Sequence, residues 1–386
     1  MYANRTNHLK VEGAYAVLAK AQSLEADGRE IIHFEIGQPD FDTFDNISLA
    51  GMRAIANGKT NYTSPAGTPA FRQAIAKDAS ARRGVDISPE QVVVSPGGKP
   101  NIFFPTLALI NPGDQVIYPN PGFPTYEAMI GVAGGVPVPV PLVEENNFSF
   151  DLAVFDKLIN EKTKMIIINS PSNPTGGIIP KADLVHIAES ARKYNAWVLS
   201  DEIYARIVYD GMDDAPSIYA LPDMAERTII MDGFSKTYAM TGWRLGYGIM
   251  PVELARRVGL LLTHSLGSTA EFTQYAGLEA LTGDQDQVDA VVAEYEKRRN
   301  VIVDGLNSLR GITCQKPQGA FYVFPNITAL GKTSDEVANW ILEEAGVALL
   351  PGTSFGAHGE GYLRLSYANS IENIEIAIDK LAKILK

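Results

Sequence analysis

Apolar and polar positions are patterned differently in two parts of the chain. Between about residues 90 and 250, short Val- and Ile-rich runs alternate with longer stretches of mixed polarity. "QVVVS" (91–95), "DQVIYP" (114–119), "VPVPVPL" (136–142), "TKMIIINS" (163–170), "AWVLSD" (196–201), "RTIIMDGF" (227–234) and "GYGIM" (246–250) each read as a strand. Helices are expected at 101–110 and 181–194. Near-continuous apolar runs suit strands buried on both faces, as in a parallel sheet covered by helices. The pattern therefore predicts an α/β fold, with a large domain over about 48–285 built on a mostly parallel sheet flanked by helices.

The last hundred residues differ. "DAVVAEYEKRRNVIVDGLNSL" (289–309) reads as one long amphipathic helix, suited to bridging two domains. After it come "GAFYVFPNI" (319–327), a helix at 334–345, "VALLPG" (347–352), "GYLRLSYA" (361–368) and a final helix at 371–385. This mixture predicts a smaller α+β domain of residues 286–386, joined by residues 1–47. A chain of 386 residues also exceeds the span of one hydrophobic core, about 250–300 residues.

Composition narrows the function. A net charge of −12 and a pI near 5.0 argue against nucleic acid or an anionic membrane as partner, since no cationic excess is present to neutralise phosphate. Cys314 is the only cysteine, so an intrachain disulfide is impossible and a reducing compartment fits. The first residues lack the apolar core of a signal peptide, and no run approaches the ~18 apolar residues of a membrane span. The expectation is a soluble, cytoplasmic protein acting on small molecules. No metal site is expected.

Residues of unusual type follow the predicted strands. Asn173 lies in "PSNPTGG" after "MIIINS", Asp201 and Tyr204 lie in "DEIY" after "AWVLS", and Lys236 follows "TIIMDGF". Arg244 is the other cation of the Gly- and aromatic-rich stretch "GFSKTYAMTGWRLGY" (233–247). In parallel α/β sheets ligands bind beyond the carboxyl ends of the strands, so these groups can converge. Singly each reads as a turn, a solvated cap or a surface lysine; order and spacing make the case. Pyridoxal 5'-phosphate requires an amine for its imine, an acid at its pyridine nitrogen and cations at its phosphate. Lys236 would supply the imine, Asp201 the acid, Asn173 and Tyr204 hydrogen bonds to the phenolic oxygen, and Arg244 the phosphate contact. Gly97, Gly98 and Lys99 in "SPGGKPN", leading into a helix with Pro100 first, form a second phosphate element. Phe123 in "NPGFPTYE" reads either as an aromatic lid over the ring or as a core phenylalanine.

These motifs, with "IGQPDFDT", "NYTSPAGTPAFRQAI" and "LRLSYANS", resemble those of class I aminotransferases, which are fold-type I pyridoxal-phosphate enzymes, from about residue 10 onward. The resemblance implies the roles above for Asn173, Asp201, Tyr204, Lys236 and Arg244. It further implies that Arg364 grips the substrate α-carboxylate and that Gly37 brings a backbone N–H to it. By the same resemblance Tyr62 reaches the cofactor phosphate of a second subunit in a homodimer, and Ser235 binds phosphate. Lys99 is similar to a lysine that prokaryotic aspartate aminotransferases of this subgroup place near the distal carboxylate; it also reads as a surface lysine. The implied activity is transfer of an amino group from an L-amino acid, best aspartate or glutamate, to a 2-oxo acid, ping-pong, through an internal aldimine on Lys236. Aromatic, alanine-type or unusual amino acids, a lyase on the same scaffold and a non-catalytic binding protein stay open. Three departures stand out: Gly233 replaces a common Ser or Thr, Pro100 a common Gln, and Ser268 a frequent Asn.

Overall fold

The structure, a computed structural model, describes residues 3–6, 9 and 11–385. Along the chain run α1 (Gly13–Ala26), β1 (Ile32–His33), α2 (Asp45–Ala56), α3 (Pro69–Arg83), β2 (Val92–Ser95), α4 (Pro100–Leu109), β3 (Gln115–Asn120), α5 (Thr125–Ala133) and β4 (Val136–Val143). Then come β5 (Ser149–Phe150), α6 (Leu152–Leu158), β6 (Thr163–Asn169), α7 (Lys181–Lys193), β7 (Trp197–Asp201), β8 (Thr228–Gly233) and β9 (Gly246–Ile249). The chain closes with α8 (Val252–Thr263), α9 (Glu271–Thr282), α10 (Asp286–Asn307), β10 (Tyr322–Val323), α11 (Ser334–Ala345), β11 (Val347–Ala348), β12 (Leu350–Pro351), β13 (Leu363–Ser366) and α12 (Ile371–Ile384).

Eight strands form one sheet in the order β2-β9-β8-β7-β6-β3-β4-β5. The run from β8 to β4 is parallel throughout, while β9 is antiparallel to both of its neighbours and β5 is antiparallel to β4. The sheet is thus mostly parallel, as the pattern predicts. Alternate residues of β6 serve opposite cores: Met165 and Ile167 pack with α4, α5 and α8, Ile166 and Ile168 with α6 and α7. Val92 and Val94 of β2 join a third cluster with α2, α3 and α9, while Val93 faces the other way. Period-two alternation with apolar residues on both faces explains why the runs look continuous in sequence.

The C-terminal elements build a separate cluster, in which α10, α11 and α12 pack on β10 and β13 together with Phe34. β10, β12 and β13 form an antiparallel sheet, and β1 pairs in parallel with β11. Two expectations need correction. "GAFYVFPNI" holds only a two-residue strand, Tyr322–Val323. "VALLPG" is split into β11 and β12, because its halves pair with different partners, β1 and β13.

Candidate active site

Four strand ends converge. Beyond β2 lies the Gly97–Gly98 turn, beyond β6 Asn173, at the end of β7 Asp201, and just past β8 Ser235 and Lys236. The loop to Asn173 is pinned by Asn169, whose Oδ1 accepts the Asn173 N–H at 2.8 Å while its Nδ2 donates to the Asp201 carbonyl at 3.0 Å. One face of the Lys236 amine meets aromatic rings, 5.7 Å from the centroid of Phe321 and 5.9 Å from that of Tyr204. The amine donates to the Gly37 carbonyl at 2.6 Å. Burial first, then the nearby charges of Arg364 and Arg244, lower its pKa to about 8.

Asp201 is buried, and burial raises its carboxyl to about 7. The Tyr126 hydroxyl, donating at 2.6 Å, and the Ile203 N–H, at 3.2 Å, oppose that shift. Tyr204 and Tyr322 share a hydroxyl–hydroxyl hydrogen bond of 2.7 Å, and burial holds both phenols protonated. Either hydroxyl can donate in this pair, so Tyr322 can occupy an acceptor site of Tyr204 and leave the Tyr204 proton free for a ligand oxygen.

Arg364, on β13, is buried and donates through Nη2 to the Glu35 carbonyl. Its guanidinium lies 4.7 Å from the Tyr322 ring centroid and 5.2 Å from that of Phe355, and its buried Nε has no partner among the described residues. The buried Asn173 Oδ1 is likewise unpartnered. Gly37 sits against Tyr322, where an added Cβ would lie 2.1 Å from the hydroxyl oxygen. Its carbonyl takes part in the site by accepting from Lys236.

Arg244 is exposed, although it lies in a Gly- and aromatic-rich stretch. Its backbone has a positive φ of 54°, its Nη1 donates to the Thr241 carbonyl at 2.8 Å, and its guanidinium packs on the glycine turn. Beside it opens a cavity of about 690 Å³ bordered by Gln38, Thr43, Pro96, Trp243 and Ser268. Trp243 is half-buried, packs against the core cluster of α2, α3 and α9, and its Nε1 donates to Thr43 Oγ1 at 3.0 Å. Ser235 is half-buried beside Lys236.

The remaining candidates line the rim. Phe123 is half-buried, edge-on to Tyr126 at 5.7 Å, and packs against the border of the core cluster of α4, α5 and α8. Lys99 stands 5.2 Å over the Phe123 ring and pairs with Glu12. Tyr62 is 98% exposed, yet its neighbours are fixed. The Asn61 N–H donates to Glu271 at 3.1 Å and the Thr63 N–H to Ser268 Oγ at 3.2 Å, so the serine departure still anchors this loop. At Gly233 a Cβ would lie 3.1 Å from Gly246 Cα, which leaves little room for a larger residue. Tyr126 and Tyr322 were missed by the sequence reading; the available signal was that a buried tyrosine hydroxyl needs a partner.

The arrangement is an uncharged-capable lysine between an acid and two arginines, neither of which is ion-paired among the described residues. Residues 29–381 match the family model described as aminotransferase class I and II. The chain belongs to this family. It is 40% identical to the aspartate aminotransferase of Pyrococcus horikoshii, over 92% of this chain and 91% of that protein. Aromatic-amino-acid aminotransferase 2 of Thermococcus litoralis is 38% identical, over 95% and 93%. Among solved structures, the Thermus thermophilus aspartate aminotransferase with maleate superposes with a TM-score of 0.95 at 36% identity, each chain fully covered. The aminotransferase is therefore an enzyme of amino-acid metabolism with the fold-type I architecture. Among its described residues no helix is long and apolar enough to cross a membrane.

Proposed function

We propose that this aminotransferase holds pyridoxal 5'-phosphate at Lys236 and moves the amino group of aspartate or glutamate to a 2-oxo acid. One observation carries the reading: a lysine amine with lowered basicity lies near Arg364 and Arg244, two cations without carboxylate partners among the described residues. Such a cluster suits a ligand bringing a carboxylate and a phosphate. The residues fit the cofactor. The Gly97–Gly98 turn opens α4 beside Arg244 and forms an anion cradle, Asp201 faces the site as a buried acid, and the Asn173 side-chain amide, beyond β6, carries N–H groups that can donate to a ring oxygen.

Bound pyridoxal phosphate supplies an aldehyde carbon for the amine and a ring that stores the electron pair left by C–H cleavage. The rest falls to the chain. Arg364 orients the substrate through its carboxylate, leaving the Cα–H beside Lys236. The Lys236 amine takes the Cα proton and returns it, and its pKa near 8 suits both directions at neutral pH. Asp201 would pair with the protonated ring nitrogen, and Tyr204 and Asn173 would donate hydrogen bonds to the ring oxygen. The 2-oxo acid then leaves before a second one accepts the amino group, a ping-pong order. Lys99, and the aspartate named for the Pyrococcus horikoshii and Thermus thermophilus relatives, favour a dicarboxylic donor.

We also propose domains at 48–285 and at 1–47 with 286–386, and a cytoplasmic homodimer. The apolar Met52, Tyr62 and Leu266 are exposed at 57%, 98% and 48%, and the tethered Tyr62 projects where a second copy could receive it.

The first test is the visible spectrum of the purified enzyme, with aspartate added and no acceptor. Conversion of the cofactor band to the amine form supports the reading; no band after adding pyridoxal phosphate would sink it. Gly97→Ala is expected to weaken coenzyme binding about tenfold in a fluorescence titration. The new Cβ would lie 2.3 Å from Arg244 Nη2, at a backbone φ of +89° that alanine tolerates poorly.

A pH signature is expected without coenzyme. Between the ordinary carboxyl value of 3.8 and about 7, the folded state keeps the Asp201 proton that the unfolded chain has lost. Stability from this group is therefore present at low pH and fades as pH rises through about 7. The melting temperature of the coenzyme-free protein should fall more steeply from pH 5 to pH 8 than that of Asp201→Asn. Equal slopes would mean the carboxyl is not shifted.

A further inference from the structure

We propose that Glu12 is an internal competitor for the side-chain carboxylate of the substrate: it occupies Lys99 in the empty site and must let go when a dicarboxylic acid binds. The inference rests on the reading of Lys99 given above. Glu12 Oε1 lies 2.5 Å from Lys99 Nζ, across 87 residues of chain. Lys99 stands at the N-cap of α4, directly after the glycine turn, and its ammonium lies over Phe123 on the wall of the site. Glu12 caps the start of α1 without any side-chain capping bond, so its carboxylate serves Lys99 and not the helix.

The start of α1 is seated on the opposite wall. A Cβ on Gly13 would lie 2.4 Å from Ser354 Oγ, and Ser354 belongs to the turn following β12, the strand paired with β13 at Leu350–Arg364. The Glu12–Lys99 pair thus bridges the wall that carries Lys99 and the wall that carries Arg364. A dicarboxylic substrate seated on Arg364 presents its second carboxylate to a lysine already neutralised, next to a like charge. A neutral side chain leaves the pair intact and meets no unpaired ammonium, whose desolvation would oppose binding.

Magnitude allows exchange. The two side chains are 51% and 32% exposed, and pairs in such surroundings shift equilibria by only about two- to fivefold. Glu12 therefore narrows the preference for dicarboxylic over neutral substrates without abolishing it.

The test uses the full-length, coenzyme-loaded enzyme and two unreactive ligands, maleate and 3-phenylpropionate, titrated by calorimetry. Glu12→Gln keeps the shape and removes the charge; it should tighten maleate about two- to fivefold and leave 3-phenylpropionate no tighter, since the neutral ring then meets an unpaired Lys99 ammonium. Lys99→Met should weaken maleate by at least about fivefold. If Lys99→Met weakens maleate while Glu12→Gln leaves it unchanged or weaker, the competition is refuted and the Lys99 reading survives. If Lys99→Met has no effect on maleate, Lys99 does not meet the second carboxylate and both readings fall.

Discussion

Lys236→Ala is expected to slow the half-reaction with aspartate by at least about 10⁴-fold, the combined loss of a proton carrier and of the covalent anchor. The Lys236 amine is held at the Gly37 carbonyl and flanked by Tyr204 and Phe321, while the other nearby lysine, Lys99, is paired with Glu12. No second amine stands ready to replace it. Stopped-flow absorbance of the loaded enzyme checks the rate directly. A small primary amine in solution should restore part of it in proportion to the amine's concentration. Retention of activity within tenfold of the parent would remove Lys236 from the proton transfer.

Arg364→Ala comes second, with an expected fall in kcat/KM of about 10²–10³, mostly through KM. Arg364 is buried, stacked between Tyr322 and Phe355, and fixed by the Glu35 carbonyl. Removing it leaves a substrate carboxylate in the site without its counter-charge, a loss of about 3–5 kcal/mol when one partner of a buried pair is deleted. Arg364→Lys should recover little, because an ammonium cannot reproduce the planar fork or the ring stacking. Coenzyme affinity, measured separately, should stay close to that of the parent. A matching loss of coenzyme would point to a collapsed fold instead.

Much of this was legible from the chain. The strands β6, β7 and β8 were visible because each is apolar on both faces, and their ends mark Asn173, Asp201 and Lys236 without any three-dimensional knowledge. What stayed hidden depends on partners distant in sequence. The division of "VALLPG" reflects two pairing neighbours, and "GAFYVFPNI" is cut short where Pro325 lacks an N–H to give. Tyr126 and Tyr322 resemble ordinary core residues until their hydroxyls are seen on Asp201 and Tyr204. Arg244 was legible as a cation at the site, but its exposure was not, since a left-handed backbone at an arginine leaves no mark in composition.

Residues 35–37 work as a ruler. The Glu35 carbonyl holds Arg364 and the Gly37 carbonyl holds Lys236, so two peptide units set the offset between the carboxylate grip and the reactive amine. Phe34 locks the ruler at one end: its N–H donates to the Ala348 carbonyl at 2.8 Å, and its carbonyl accepts the Ser366 N–H at 2.9 Å. Inserting one residue here would displace one cation from the other by roughly 3.3 Å, the rise of an extended residue. Drift of the sequence can therefore exchange the side chain at position 36 freely, whereas the length of this segment is frozen for as long as the enzyme handles α-amino acids.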